Sequence, residues 1–282
     1  MNIKSEKNET SLSGVVVVVG HQKGGVGKST LAYNSAIELQ KRLKEKGLSV
    51  ELIDLDMQQT ITDITRIREA LRFKELLDKE HYKGYGDKFE IEDEDGFDLA
   101  LREWVENYYL PNEEEESVLL RHFDTPVSLE DHLRWGHENG VVSIIDVGGF
   151  DSDFARLSIG LSDILISPLS ENTVEVLGLK KYEKVIRDVS EILETHIVSK
   201  VVANKMSPSR KKFDDFKNFV TQSPHFKAFE TILRARVAYD KAISFGKSVI
   251  EHNEDEKAVA EFSSFLDELE HDVISFSSEK QQ

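Results

Sequence analysis

No cysteine occurs among the 282 residues of this chain. Its absence excludes disulfide bonds, thiolate zinc sites, cysteine nucleophiles and iron–sulfur clusters held by cysteine. A chain without cysteine fits a reducing compartment, and we expect this protein in the cytoplasm. No stretch approaches the roughly 20 apolar residues of a membrane-spanning helix, so we expect no membrane partner.

Three familiar motifs are missing as well. The sequence contains no His-Glu-x-x-His, no Gly-x-Ser-x-Gly and no Gly-x-Gly-x-x-Gly. It therefore gives no motif for a zinc protease, an α/β-hydrolase or a dinucleotide-binding site. Residues 1–13 are polar and lack the apolar core of a secretory signal. We expect a disordered tail there and a single domain over residues 14–282.

Charge is distributed unevenly along the chain. The formal net charge of −17 by itself argues against nucleic-acid binding. Residues 200–250, however, hold 11 Lys and Arg against 4 Asp and Glu, a net of +7. Residues 74–138 hold 20 acidic and 7 basic side chains among persistent apolar residues. We expect an acidic helical insertion in this range, either a solvated elaboration or a surface for a specific partner.

A glycine-rich turn between a predicted strand and a predicted helix is the strongest motif. Val15–Val19 predict a buried strand, residues 20–30 read Gly-His-Gln-Lys-Gly-Gly-Val-Gly-Lys-Ser-Thr, and residues 31–44 predict a helix. In this order, backbone N–H groups and the positive helix end converge on one spot, which can hold a polyphosphate. Gly27 permits close approach, Lys28 can reach the β- and γ-phosphates, and the Ser29 hydroxyl can bind Mg²⁺.

Lys23 departs from the general phosphate-loop pattern. The usual first glycine would stand at Gln22, and the chain instead has the deviant form Lys-Gly-Gly-x-Gly-Lys-Ser. In this form it resembles the ParA/MinD family of ATPases. The resemblance implies a P-loop fold, ATP and Mg²⁺ as ligands, and an ATP-dependent homodimer in which Lys23 reaches the partner's nucleotide. Taken by itself, Lys23 is also compatible with a solvated loop lysine.

The family resemblance extends to the nucleotide contacts of the whole loop. On this resemblance the nucleotide would be held by a contiguous set of residues, namely Gly24, Gly25, Val26, Gly27, Lys28, Ser29 and Thr30. The predicted fold is α/β, a doubly wound, mainly parallel twisted sheet flanked by helices.

Two aspartates leave the next predicted strand, residues 49–54. Asp54 and Asp56 would lie at the strand's carboxyl end, where ligands bind in open α/β sheets. A simple turn or helix cap at Asp56 is the alternative. The Asp-x-Asp-x-Gln stretch resembles the family's second nucleotide motif, which implies that Asp56 orients the attacking water and Asp54 holds the Mg²⁺ shell. The family's usual proline is replaced by Met57.

Residues 141–146 predict another buried strand, which ends at Asp146. A hydrophobic strand ending in aspartate is typical of the second half of a P-loop site, where the carboxylate binds a Mg²⁺ water. The alternative is a buried strand with an Asp cap. Gly148 and Gly149 follow, and their backbone would approach the γ-phosphate and move when it leaves.

Further elements follow this strand. Residues 163–168 predict a strand ended by Pro168, 173–195 a helix, 197–203 a strand, and 255–274 a helix with one apolar stripe that docks on the sheet. Asn204 comes directly after the strand at 197–203. The family resemblance implies that this asparagine reads the adenine edge.

The basic region late in the chain suggests a DNA contact. Phe213, Phe216 and Phe219 interleave with its lysines, and their spacing favours the core face of a helix over base stacking. Similarity of residues 232–249 to a late ParA segment implies non-specific, salt-sensitive DNA binding. The candidate contacts are Arg210, Lys211, Lys212, Lys217, Arg234, Arg236, Lys241 and Lys247. The alternative is that this charge meets the acidic insertion or an acidic partner.

These residues lead to three functional hypotheses. The first is a ParA-like ATPase for plasmid or chromosome partition, which is nucleoid-associated when ATP-bound and released when a ParB-like partner stimulates hydrolysis. The second keeps the ATPase and changes the cargo to a conjugation or cell-pole assembly. The third is a nucleotide-gated binding switch with negligible turnover.

Overall fold

A parallel sheet forms the centre of the computed structural model, which describes residues 12–77, 118–149 and 151–279. Its strands are β1 (Val15–Val19), β2 (Ser49–Leu55), β3 (Leu119–Arg121), β4 (Val141–Val147), β5 (Ile164–Leu169), β6 (Ser199–Met206) and β7 (Phe226–Arg234). Their order is β3-β2-β4-β1-β5-β6-β7, and every neighbouring pair is parallel.

Helices cover both faces of this sheet. They are α1 (Lys28–Leu43), α2 (Thr60–Leu77), α3 (Pro126–Glu138), α4 (Asp153–Leu161), α5 (Thr173–Ile192), α6 (Asp214–Thr221), α7 (Val237–Ser244), α8 (Val249–His252) and α9 (Glu256–Glu279). Within these described residues, no helix combines the length and apolarity needed to cross a bilayer.

The side chains of β1 alternate between two hydrophobic cores. Val15, Val17 and Val19 pack in the core shared with α1, α2, α7 and α9, whereas Val16 and Val18 pack in the core shared with α3, α4, α5 and α6. Strands buried on both faces are continuously apolar, and helices on both faces follow from right-handed crossovers. The predicted doubly wound α/β fold is confirmed.

The strand order determines where along the sheet a ligand-binding crevice can form. β1 lies between β4 and β5, and the chain order reverses there, so a crevice forms at the carboxyl ends of these strands. The phosphate loop, residues 20–30, leaves β1 at this crevice. Asp54 and Asp146 are register partners at the ends of β2 and β4. The two predicted acidic positions are therefore adjacent.

Two predicted strand ends were wrong. Pro168 does not end β5, because the strand continues to Leu169 and Pro168 pairs with Val202 of β6. The pairing of β5 with β1 ends at Ile166, so Pro168 lies where β5 has lost one neighbour and a missing N–H is tolerated. β6 also continues past Ala203 to Met206, which places Asn204 inside the strand.

The expected insertion and tail need narrower bounds. Residues 119–121 and 126–138 form β3 and α3, and Leu129 and Leu133 of α3 are buried in the main core. Any separate insertion therefore ends before β3; residues 78–117 lie outside the described residues. At the N-terminus, Leu12 packs against the core and the Ser13 N–H bonds to the Ser277 carbonyl, so the expected tail is too long by two residues.

Two predicted core faces are confirmed. Phe262, Leu266, Leu269 and Val273 of α9 are fully buried against the sheet. Phe216 of α6 is buried as well, and the neighbouring phenylalanines Phe213 and Phe219 pack partly buried against the same core. These three phenylalanines therefore serve packing.

Candidate functional site

The phosphate loop turns sharply between β1 and α1. Gly25 and Gly27 have φ values of +80° and +95°, in the left-handed region that favours glycine. No side chain caps the start of α1 at Gly27, and its first turn holds no acidic residue. The first N–H groups of α1 are therefore left for an anion, which the helix dipole also attracts.

The two lysines of this loop have different environments. Lys28 is buried, and its Nζ lies 3.5 Å from the Lys23 carbonyl oxygen, at the outer limit of a hydrogen bond. The Lys23 side chain is exposed, together with the backbone of Gly24 and Gly25. Lys28 is thus enclosed next to the anion position, whereas Lys23 is open to contact from another molecule.

Asp146 is fully buried at the end of β4 beside the loop. Neither of its carboxylate oxygens has a hydrogen-bond partner among the described residues. Burial raises the pKa of Asp146 to about 7; the Ser29 hydroxyl and the Lys28 ammonium oppose this change, and the carboxylates of Asp54 and Asp56 add to it. A buried acid that has only the Ser29 hydroxyl and the Lys28 charge beside it is costly. A cation held close to Ser29 would supply the missing interaction.

Ser29 and Asp146 fit a magnesium site that takes its other ligands from phosphate and water. In the described parts of the chain, no group of three or more His, Asp or Glu side chains could hold a metal ion. Mg²⁺ prefers oxygen donors and commonly needs only one or two from the protein beside substrate phosphates. A hydroxyl and a buried carboxyl meet that requirement.

Asp54 and Asp56 stabilise the turn between β2 and α2. Asp54 Oδ1 accepts from the Asp56 N–H at 3.1 Å, and its Oδ2 accepts from the N–H and hydroxyl of Thr62 at 3.1 and 2.9 Å. Asp56 Oδ1 accepts from the Gln58 N–H at 3.0 Å. Asp54 is therefore engaged within the turn. Its place in a Mg²⁺ shell, and the action of Asp56 on water, stay predictions.

Gly148 and Gly149 lie between this turn and the phosphate loop. A Cβ at Gly148 would lie 3.5 Å from Asp56 Oδ1, and a Cβ at Gly149 would lie 3.2 Å from the Gln22 carbonyl oxygen. The backbone after β4 is therefore close to both segments. A nucleotide contact at Gly148 stays a prediction.

A cavity of about 340 Å³ opens beside the loop at Gly27 and Thr30. Apolar walls come from Leu31, Leu233, Val237 and Phe262, and polar groups from Asn204, Lys205, Arg234, Arg236, Tyr239 and Asp240. This size and mixed lining suit a nucleoside. The hydroxyl of Tyr239 is buried without a hydrogen-bond partner among the described residues.

Asn204 lies at this cavity and braces the phosphate loop. Its Nδ2 donates to the Val26 carbonyl oxygen at 2.8 Å, and a Cβ at Gly27 would lie 2.5 Å from the same nitrogen. The structure therefore places Asn204 beside the nucleoside-sized cavity. Its adenine contact stays a prediction, because the described hydrogen bond goes to the loop.

His21 forms a hydrogen bond within the phosphate loop. The sequence analysis did not assign it a role. Its Nδ1 accepts from the Lys23 N–H at 2.8 Å. Burial, and next the charge of Lys28, lowers the pKa of His21 to about 4. A Cβ at Gly178 of α5 would lie 2.8 Å from His21 Cε1. The only signal in the sequence is the position of His21 directly after Gly20.

Most of the basic side chains proposed for DNA are paired within the domain. Arg210 pairs with Glu171 and Asp215, Lys217 with Glu230, Arg234 with Glu261, Arg236 with Asp255 and Glu261, and Lys241 with Glu254. Lys211, Lys212 and Lys247 form no ion pair with any described residue. The positive charge available to a ligand is therefore smaller than the sequence count indicates.

Comparison with known proteins places this geometry among nucleotide-binding domains. The model of the CobQ/CobB/MinD/ParA nucleotide binding domain matches residues 17–249. An uncharacterised protein of Methanocaldococcus jannaschii is 26% identical over 268 residues, which cover 88% of this chain and 95% of that relative.

Two solved structures show the same fold at low sequence identity. An ATP complex of a McdA variant from Cyanothece has a TM-score of 0.56 and 15% identity, and the match covers 89% of this chain and 95% of that one. A plasmid partition protein from Borrelia burgdorferi has a TM-score of 0.52 and 18% identity, over 92% of this chain and 100% of that one.

Proposed function

This chain belongs to the CobQ/CobB/MinD/ParA family of nucleotide-binding domains, and from that premise we propose that it is a ParA-like Mg²⁺-dependent ATPase that dimerises on ATP. One observation carries the proposal. Asp146 is a fully buried acid whose two oxygens have no described partner, and it lies beside Ser29 and Lys28 at an uncapped helix start. That arrangement supports binding of a metal–polyphosphate.

In the proposed reaction, a water oxygen attacks the γ-phosphorus of ATP in line with the β–γ bridging oxygen, which leaves with ADP. Lys28 and the N–H groups of the loop neutralise charge on the phosphates. Asp56 orients the water. Mg²⁺, when bound at Ser29 with Asp146 and Asp54 around it, supplies further charge neutralisation. The exposed Lys23 of each protomer completes the other's site.

Loss of the γ-phosphate would be communicated through the glycines after β4. Gly148 lies next to Asp56, and Gly149 lies next to the phosphate loop at Gln22. A shift of this backbone on phosphate release would move the Asp56 turn and loosen the dimer. Slow hydrolysis, stimulated by a ParB-like partner, would then reset the switch.

We propose that the ATPase partitions DNA. Its ATP-bound dimer would bind DNA without sequence preference and would lie on the nucleoid within the cytoplasm. The fold similarity to a plasmid partition protein supports this assignment, as does the basic region. Among the candidate DNA contacts, Lys211, Lys212 and Lys247 form no ion pair with a described residue. The fold similarity to McdA keeps a second candidate, positioning of another cargo. A switch with negligible turnover differs from both in having no measurable phosphate release.

Nucleotide-dependent assembly tests the ATPase proposal. We expect ATP with Mg²⁺ to convert the wild type from monomer to dimer in sedimentation velocity, ADP to leave it monomeric, and Lys28→Ala to abolish the response. Removing Mg²⁺ with a chelator should have the same effect as Lys28→Ala. A wild type that binds no ATP, or an ATP-bound monomer, would contradict the proposal.

DNA binding by the ATP form requires a charge-matched test. We expect Lys211→Ala to weaken binding to a random duplex and to reduce the salt slope by about 1, roughly 0.9 for the phosphate that this lysine no longer neutralises. Lys217→Ala, which removes a lysine already paired with Glu230, is the control and should change little. Equal effects of both variants would contradict the assignment.

A further inference from the structure

Lys205 occupies an irregular position in β6. Between Ala203 and Met206 this strand has one residue more than β7 has between their partners, Ile232 and Arg234. At this bulge Lys205 adopts a φ of +53°, which residues other than glycine seldom do. Bulges beside binding sites redirect side chains, and a strained residue held in place indicates a function.

The bulge directs two successive side chains to two successive carbonyls of the phosphate loop. Lys205 Nζ donates to the Gly25 carbonyl oxygen at 2.7 Å, and Asn204 Nδ2 donates to the Val26 carbonyl oxygen at 2.8 Å. A Cβ at Gly27 would lie 3.4 Å from Lys205 Cε. The lysine stem therefore passes alongside the start of α1.

The same stem forms part of the cavity wall. Arg234 and Arg236 also line this cavity, and both guanidinium groups contact Glu261. Lys205 has no acidic partner among the described residues, because its hydrogen bond goes to a neutral carbonyl. Its ammonium adds uncompensated positive charge beside the loop, and its methylenes offer apolar surface to the cavity.

We propose that Lys205 is a positioning residue for the nucleotide: its ammonium fixes the phosphate loop at Gly25, and its stem forms one wall of the nucleoside site. The proposal rests on the ATP binding proposed above and deepens it. One side chain would then set the spacing between the phosphate position and the base. Lys205 acts through the backbone of the loop and takes no part in the chemical step.

Three substitutions separate these two contributions. Lys205→Arg keeps the donor and a long stem, Lys205→Met keeps only the stem, and Lys205→Ala removes both. We expect the Kd for Mg·ATP, measured by isothermal titration calorimetry, to stay near the wild-type value in K205R. It should rise roughly 10-fold in K205M and a further 3- to 5-fold, approximately, in K205A. Lys227→Met, at an exposed lysine near the start of β7, is the matched control and should bind like the wild type.

The possible outcomes distinguish a failure of the Lys205 proposal from a failure of the proposed ATPase function. Equal Kd values for K205M and K205A would contradict the claim that the Lys205 stem contacts the nucleoside. If Lys205 acts only through its hydrogen bond to the Gly25 carbonyl, the two variants lose the same interaction. Wild-type affinity in both variants, while Lys28→Ala abolishes binding, would overturn the whole inference and leave the proposed function intact. A wild type that binds no ATP would overturn both. Lys205 is exposed, so the free variants should melt within about 2 °C of the wild type.

Discussion

His21 and Lys28 are both buried at the phosphate loop. Burial of the imidazole, and next the charge of Lys28, lowers the pKa of His21 and keeps it neutral. Neutral His21 accepts the Lys23 N–H through Nδ1. A proton on that nitrogen would remove the acceptor and place a second positive charge beside Lys28. The loop geometry therefore depends on a histidine that remains neutral.

Replacing His21 with Asn should remove an acid-sensitive part of the stability. The folded-state pKa of about 4 lies below the ordinary 6.5, so the unfolded chain takes up the proton first as the pH falls. The wild type should thus lose stability from about pH 6.5 down to about pH 4, by at most about 3 kcal/mol. His21→Asn offers an acceptor at a similar position without titrating.

Urea unfolding at pH 7.5 and pH 4.5 measures this difference. The loss between the two pH values should be smaller in His21→Asn than in the wild type, and His271→Asn, at an exposed histidine, should behave like the wild type. Parallel losses in all three proteins would show that His21 does not couple to folding.

At the residue scale, the site could be predicted where its members are contiguous. Lys28 and Ser29 follow from a local motif, because a glycine-rich turn before a helix fixes their geometry within a few residues. Lys205 contacts Gly25 across 180 positions of sequence, and His21 meets α5 only in the folded chain. Such contacts depend on the sheet order, which no local pattern contains.

At the scale of elements, α2 connects the Asp54 turn to the C-terminal part of the chain. Arg68 of α2 donates to the Gly246 carbonyl oxygen at 2.9 Å and forms two bonds to Glu251, of 2.7 and 2.9 Å. Tyr33 of α1 donates to the same carbonyl at 2.7 Å. Gly246 is therefore the meeting point of α1, α2 and the segment between α7 and α8.

Gly246→Ala should destabilise the protein much more than Gly47→Ala. Both glycines have positive φ values, +58° and +78°, but a Cβ at Gly246 would lie 2.5 Å from Arg68 Cα, whereas a Cβ at Gly47 would meet nothing within 4 Å. We expect a loss of about 1–2 kcal/mol for Gly47→Ala from backbone strain alone. Overpacking should add about 1–3 kcal/mol at Gly246. Equal free energies of unfolding for the two variants in urea titrations would contradict the described packing.

Central strands could be predicted and edge strands could not. β1, β2, β4 and β5 are buried along almost their whole length because both of their faces are covered, and their residues are mostly apolar. The edge strand β3 has three residues, and the other edge strand β7 alternates irregularly between buried and exposed positions. Each is recognisable as a strand only through its pairing with the neighbouring strand. The carboxyl end of β6 was missed for the same reason, since its bulge exists only against β7.

At the scale of the whole molecule, acidic side chains of α9 pair with basic side chains of several other elements. Glu261 of α9 contacts both Arg234 and Arg236, and acidic side chains further along α9 pair with Arg42, Lys46 and Lys200. Counting charges along the sequence locates the basic region but not its partners. The surface that we propose for DNA is therefore a fraction of that region, at the lysines without described partners.

We propose that each active site of the dimer takes residues from both chains, and mixing two inactive variants distinguishes this arrangement from a site built within one chain. Lys23→Ala removes the residue proposed to act on the partner's nucleotide, and Asp56→Ala removes the residue proposed to act on its own. In a symmetric dimer, a mixed pair contains one site that lacks both residues and one site that has both. Phosphate release in the presence of ATP and Mg²⁺ is the readout.

We expect each variant alone to hydrolyse little ATP, and an equal mixture to recover about a quarter of the wild-type rate, because half of randomly formed dimers are mixed and each has one complete site. If Lys23 acts within its own chain, every site in the mixture lacks one residue. A mixture as inactive as its components would therefore contradict the account.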